Sequence, residues 1–66
     1  MDLRVNGHPR QVPTDVTIDA LLTALDVSLD GIAVAINRTV VPRGDHRKIT
    51  LQPGDEVEII QAVGGG

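Results

Sequence analysis

Only one stretch of this chain carries a helical period. Ile18, Leu21, Leu22 and Leu25 fall at i, i+3, i+4 and i+7, the apolar stripe of a helix that packs on something flat. Thr17 is placed to cap this helix, and Asp19 sits in the first turn, where the helix dipole favours an anion. Val16 is positioned to staple against Leu21. We expect the helix to end near Asp26, with Gly31 closing the loop behind it. The other apolar stretches alternate with period two, as strands do. One helix must therefore serve a whole sheet, and it can cover only one of the two faces.

The materials for that core are restricted. With 66 residues the chain makes one domain, near the lower limit at which a fold stands without metal or disulfide. It has no cysteine, which excludes a disulfide staple, a thiolate metal site and a thiol nucleophile. It also has no Phe, Trp or Tyr, so the core is built from Leu, Ile, Val and Ala, and the aromatic platforms that stack single-stranded nucleic acid are missing. A net charge of -3 argues against a phosphate-backbone binder, and we read it as ordinary solubility charge. The longest apolar run, Ile32-Ala33-Val34-Ala35-Ile36, is too short to span a bilayer. The start of the chain, Met1-Asp2-Leu3-Arg4, lacks the pattern of a secretory signal, which makes the cytoplasm the expected compartment.

Taken in order, Met1, Leu3 and Val5 alternate with Asp2, Arg4 and Asn6, a strand with one buried face. Asn6-Gly7 is a strong signal for a tight hairpin, because both residues tolerate positive φ. The return segment His8–Pro13 is polar and carries two prolines, which places it at a sheet edge, with Arg10 on the same face as Leu3. After the helix, Ile32, Val34 and Ile36 alternate with Ala33 and Ala35. The large side chains are expected to face the helix and the alanines to leave the other sheet face thin. Asn37-Arg38 turns the chain, Thr39-Val40-Val41 forms a short strand, and Pro42 stops it. Arg43–Lys48 reads as a polar loop with one short helical turn. Ile49-Thr50-Leu51 returns to the core, and Pro53-Gly54 fits the centre of a type II turn. The last strand, Glu56-Val57-Glu58-Ile59-Ile60, is rich in β-branched residues that suit a central position. This order gives an α+β chain with an open mixed sheet of four to five strands and one main helix on one face. The first and last strands lie together in the middle, as in the ubiquitin-like β-grasp fold.

No catalytic constellation stands out. His8 and His46 read as solvated side chains, and Asp55, Glu56 and Glu58 as solvent-facing strand charges. Arg38, Arg43, Arg47 and Lys48 read as a solvated basic loop, and no metal site is expected. Gly64-Gly65-Gly66 is not a phosphate-binding loop, since no helix and no Lys-Ser/Thr follows it, so the chain is not expected to bind ATP by itself. We expect residues 1–63 to form the domain and 64–66 a flexible tail, because glycines bury nothing and lose the most backbone entropy on ordering. Three extended residues reach on the order of 10 Å. That is enough to carry the Gly66 carboxylate into a partner's active site, through a channel too narrow for a Cβ.

Beyond these readings, the whole chain resembles the ThiS family, the sulfur carriers of thiamine thiazole biosynthesis. The resemblance runs through Asn6-Gly7, Ala35-Ile36-Asn37 and Val40-Val41-Pro42-Arg43. It continues through Leu51-Gln52-Pro53-Gly54-Asp55-Glu56-Val57-Glu58-Ile59 and Gln61-Ala62-Val63-Gly64-Gly65-Gly66. Relatives often carry an aromatic residue shortly after Pro-Arg, where this chain has Gly44-Asp45-His46. The resemblance implies a protein co-substrate rather than an enzyme. A ubiquitin-activating-like (ThiF-like) adenylyltransferase, using its own ATP and magnesium, would adenylate the Gly66 carboxylate. Sulfur from a cysteine desulfurase or another persulfide donor would convert the adenylate to a thiocarboxylate, and a ThiG-like thiazole synthase would take the sulfur. Gly64, Gly65 and Gly66 would enter partner active sites, while Ala33, Ala35, Glu58, Ile60 and Ala62 would form the docking face. No nucleic acid or membrane partner is implied. Two alternatives stay open: a sulfur carrier for molybdopterin, cysteine or tRNA thiolation, and a non-covalent β-grasp docking module with incidental glycines.

Overall fold

The computed structural model describes residues 1–28 and 30–61. The expected boundary at residue 63, the docking candidate Ala62 and the tail Gly64–Gly66 lie outside the described residues. In chain order the elements are β1 (Asp2–Val5), β2 (His8–Gln11), α1 (Ile18–Ala24), β3 (Ile32–Ile36), β4 (Thr39–Val41), a 3-10 turn (Arg43–Asp45) and β5 (Glu56–Gln61). The five strands form one sheet in the order β2-β1-β5-β3-β4. β5 is central, parallel to β1 and antiparallel to β3, which makes the sheet mixed and the fold an α+β β-grasp.

Local chemistry accounts for most of these elements. Leu3 and Val5 are buried while Asp2 and Arg4 are exposed, so β1 has one wet face. Asn6 (φ 50°) and Gly7 (φ 82°) make the tight turn, and Asn37 (φ 49°) and Arg38 (φ 72°) make the equivalent turn between β3 and β4. β2 is an edge strand exposed along its whole length, with Pro9 opposite Arg4 and Arg10 opposite Leu3. At Pro53-Gly54, Gly54 takes φ 82° and the Asp55 N–H donates to the Gln52 carbonyl at 3.1 Å, as a type II turn requires.

The helix starts where expected and stops earlier. Thr17 Oγ1 accepts the Ala20 N–H at 3.2 Å. α1 ends at Ala24 with Leu25 as the cap, rather than near Asp26. Asp26 itself has turned left-handed (φ 56°), and the N–H groups of Asp26 and Val27 donate to the carbonyls of Thr23 and Leu22, each at 3.1 Å. That is the Schellman pattern, usually made with glycine at the left-handed position; aspartate tolerates it better than most residues. None of the helices among the described residues is long and apolar enough to cross a membrane.

The core lies between α1 and the sheet. Ile18, Leu21 and Leu22 come from the helix; Leu3, Val5, Val34, Val41 and Val57 come from four strands; and Leu51 comes from the loop before β5. Leu51 is drawn in by backbone bonds alongside the helix start. Its N–H donates to the Val16 carbonyl at 2.8 Å, and Thr17 bridges Thr50. Leu22 is fully buried, so removing its side chain costs about 2–5 kcal/mol, a large part of the about 5–15 kcal/mol that holds a small domain. Leu22→Asp adds an unpaired charge to that loss and should abolish the cooperative thermal transition; a retained sharp melt by circular dichroism would contradict the packing described.

Candidate functional site

The site is built on β5, which is braced along both edges by asparagines from the two tight turns. Asn6 donates its N–H to the Val57 carbonyl at 2.8 Å, and its Oδ1 accepts the Ile59 N–H at 2.8 Å. On the other edge, the Asn37 N–H donates to the Glu56 carbonyl at 2.8 Å while Asn37 Oδ1 accepts the Glu56 N–H at 3.0 Å. Asn37 Nδ2 also donates to Asp55 Oδ1 at 3.0 Å, and Asp55 Oδ2 accepts the Gln52 N–H at 2.8 Å. Asp55 is therefore a brace of the turn, not the solvent-facing strand charge expected from the sequence. In each case the side chain that permits positive φ also supplies the missing strand partner.

Alternation along β5 sorts the side chains onto two faces. Val57 is fully buried and Ile59 packs against the core. Glu58 and Ile60 point to the face that α1 leaves uncovered. Ala35 is paired with Glu58, and Ala33 with Ile60, so these four residues share that side of the sheet; Ala33 and Ile60 are exposed, but Ala35, expected in the docking face, is buried at 7% exposure. Ala35 also pairs with Val40 of β4, which extends the same face by a residue the sequence reading did not single out. Val40 is 66% exposed and Ile60 55%, the two large apolar side chains most open to solvent among the described residues. In the sequence a three-residue strand offers too short an alternation to choose between Val40 and Val41; the fold turns Val40 out and buries Val41 opposite Val34. The shared face of Val40, Ala35 and Ala33 is flat, with low side chains between two exposed aliphatic groups and the half-buried Glu58.

The two histidines part ways. His8 is exposed on the edge strand, as expected. His46 is 4% exposed, not solvated, and its Nε2 lies 3.1 Å from the Val41 carbonyl oxygen. A carbonyl only accepts, so Nε2 carries the proton. The His46 carbonyl in turn accepts the Asp19 N–H at 3.1 Å, tying the loop to the start of α1. This is the ring that the loop after Pro42-Arg43 contributes to the interior. Arg43 and Lys48 stay exposed; among the described residues their ion pairs are long surface ones, with Asp30 at 3.7 Å and Asp45 at 4.0 Å, which contribute little. Among the described residues no group of three or more His, Cys, Asp or Glu is placed to hold a metal ion.

The ThiS family model matches residues 3–66, nearly the whole chain. This chain belongs to the ThiS family. It is 33% identical to the sulfur carrier protein ThiS of Escherichia coli, over all of both chains. It is also 33% identical to a thiazole synthase of Magnetococcus marinus, where all of this chain matches but spans only 20% of that protein's length. The crystal structure of the thiamine biosynthesis protein ThiS from Geobacter metallireducens superposes with a TM-score of 0.85 at 35% identity, again over all of both chains.

The bracing of β5 is open to direct measurement. Asn6→Gly keeps the positive φ that the turn needs but removes the acceptor of the Ile59 N–H. The expected result is a loss of about 0.5–1.5 kcal/mol of stability and faster hydrogen exchange at the Ile59 amide, with the fold retained.

Proposed function

We propose that this chain is a sulfur carrier of thiamine biosynthesis and that the Gly66 carboxylate is the group that carries the sulfur. The observation that supports this most is family membership extending through Gly66, in a chain whose central strand leads toward the glycines. The chemistry follows from what a carboxylate lacks. Resonance and negative charge make it a poor electrophile, so it needs a leaving group. An adenylyltransferase that binds ATP and magnesium would let the Gly66 carboxylate attack the α-phosphate, releasing pyrophosphate and forming an acyl-adenylate. A persulfide, supplied through a cysteine desulfurase or another donor, would displace AMP. Cleavage of the resulting sulfur–sulfur bond by a thiol would leave the thiocarboxylate. This chain has no cysteine, and the terminal carbonyl is its obvious covalent place to hold transferable sulfur.

Thiazole synthase is the proposed acceptor. Support comes from the thiazole synthases of Magnetococcus marinus and Paramagnetospirillum magneticum, each of which contains a stretch similar to all 66 residues of this chain. Docking would use the open face of Ala33, Ala35, Glu58 and Ile60, joined by Val40, with Ala62 continuing the same alternation in sequence. Gly64 and Gly65 would pass through the partner's channel because bare backbone is all it admits.

Intact mass after incubation with the adenylyltransferase, ATP and a sulfur donor should show one oxygen replaced by sulfur. An unchanged mass under conditions that convert a known carrier would reject the proposal. The mass of the protein isolated from cells additionally reports whether Gly66 is the terminus. In the same assay Gly65→Val should stop conversion while leaving the melting temperature nearly unchanged; a collapsed melt would mean that the tail is packed into the fold. Ile60→Glu should weaken the complex with the adenylyltransferase by about tenfold or more, measured by calorimetry, with little change in stability, because it places a charge in a desolvated contact.

A further inference from the structure

β1 stops pairing with β5 before β5 ends. Their last partners are Val5 and Val57, after which the chain turns away through Asn6-Gly7. Along β5, odd-numbered residues turn their N–H and C=O groups toward β1, and even-numbered ones toward β3. The bonds establish this: Arg4 N–H reaches the Asp55 carbonyl and Asn6 N–H the Val57 carbonyl, whereas Asn37 N–H reaches the Glu56 carbonyl on the other side. Asn6 Oδ1 takes the Ile59 N–H. The next groups on the β1 edge are the Ile59 carbonyl and the Gln61 N–H. Among the described residues no strand lies opposite them.

Beside this edge is a cleft of about 500 Å³ on the helix side of the sheet, the face opposite Val40 and Ile60. Val5, Ile59, Leu25 and Val27 give it an apolar floor, and His8 and Arg10 stand on the wall formed by β2. Among the described residues no carboxylate lines it, although the chain carries a net charge of -3. A strand edge with no strand opposite it among the described residues, an apolar floor and a wall that carries the Arg10 guanidinium therefore occupy one place.

We propose that this cleft receives an extended segment of a partner protein that carries an apolar and an acidic residue two positions apart, both on the face turned to the cleft. The segment adds as a short strand to the free edge of β5. One of its N–H groups donates to the Ile59 carbonyl and one of its carbonyls accepts the Gln61 N–H. Side chains two apart on an added strand share a face, so an aliphatic residue settles on Leu25 and Val27 while a carboxylate two positions away, on the same side of the sheet, pairs with Arg10. The surface is separate from the open-face docking patch and does not require the sulfur chemistry proposed above.

The test uses the full chain, labelled with nitrogen-15, titrated with a capped Ser-Val-Ser-Glu-Ser pentapeptide, in which valine and glutamate share a face. The controls are the same peptide with lysine for glutamate and one with its central peptide nitrogen methylated. Expected are amide shifts centred on His8, Arg10, Ile59 and Gln61, an apparent affinity about fivefold higher for the glutamate peptide than for the lysine peptide, and weaker binding of the methylated one. Arg10→Glu, an exposed change on an edge strand whose melt should match the parent, should reverse the preference between glutamate and lysine. Equal response to both peptides, shifts centred on Ala33, Val40 and Ile60, or no shifts at these positions would overturn the proposal.

Discussion

The structure depends on the placement of β5 between β1 and β3. The parallel pairing with β1 joins opposite ends of the chain, so this contact carries the largest loop-closure cost and cannot form from local sequence alone. The antiparallel pairing with β3 is the more extensive of the two, running from Ile36↔Val57 to Ile32↔Gln61. Because the side-chain period of a strand is two, that single register sets both surfaces at once. The step that puts Val57 and Ile59 under α1 is the same step that leaves Glu58 and Ile60 on the open face.

A chain this small has few ways to make such a register firm. It has no disulfide and no Phe, Trp or Tyr, and its core is a single aliphatic layer under a seven-residue helix. Polar braces supply what the core lacks. Asn6 and Asn37 hold the backbone of β5 from the two hairpin turns, one on each edge, and Asp55 fixes the turn that launches the strand. These bonds are individually modest, about 0.5–1.5 kcal/mol each, but a slip of one residue would break several together. They give specificity of register more than raw stability.

The parts of the fold that could be read in the sequence are those decided locally. The stripe from Ile18 to Leu25, the Thr17 cap, Asn6-Gly7, Pro53-Gly54 and the alternation of β1, β3 and β5 each follow from the conformational preferences of neighbouring residues. The open face could also be read, because parity along β5 and β3 needs only one buried residue to set its sense. Tertiary events could not. His46 is buried because the loop folds back so that its ring meets the Val41 carbonyl, and polar surroundings in sequence say nothing of that. Leu25 looked like a helical residue and is the cap, because Asp26 accepts a left-handed conformation usually left to glycine. The cleft beside β5 was hidden for a different reason. It combines β2, which buries no residue and so shows no pattern, with the loop after α1 and an edge defined only by where β1 stops.

The two candidate surfaces would control different quantities in a partner complex. The open face of Ala33, Ala35, Val40 and Ile60 is flat and aliphatic, so it rewards contact area but resists sliding poorly. An added strand on the β1 edge of β5 is the reverse: it buries little area, yet its hydrogen bonds form in one register only, and a slip by one residue exchanges its two faces. A slip of that kind would also move everything beyond Gln61 by about 3.3 Å relative to the partner, the rise of one strand residue. For chemistry at a single carbonyl such a displacement is decisive, since reacting atoms must meet within about 3–3.5 Å. Affinity from the open face and register from the edge of β5 would together define where Gly66 arrives, which neither surface defines alone.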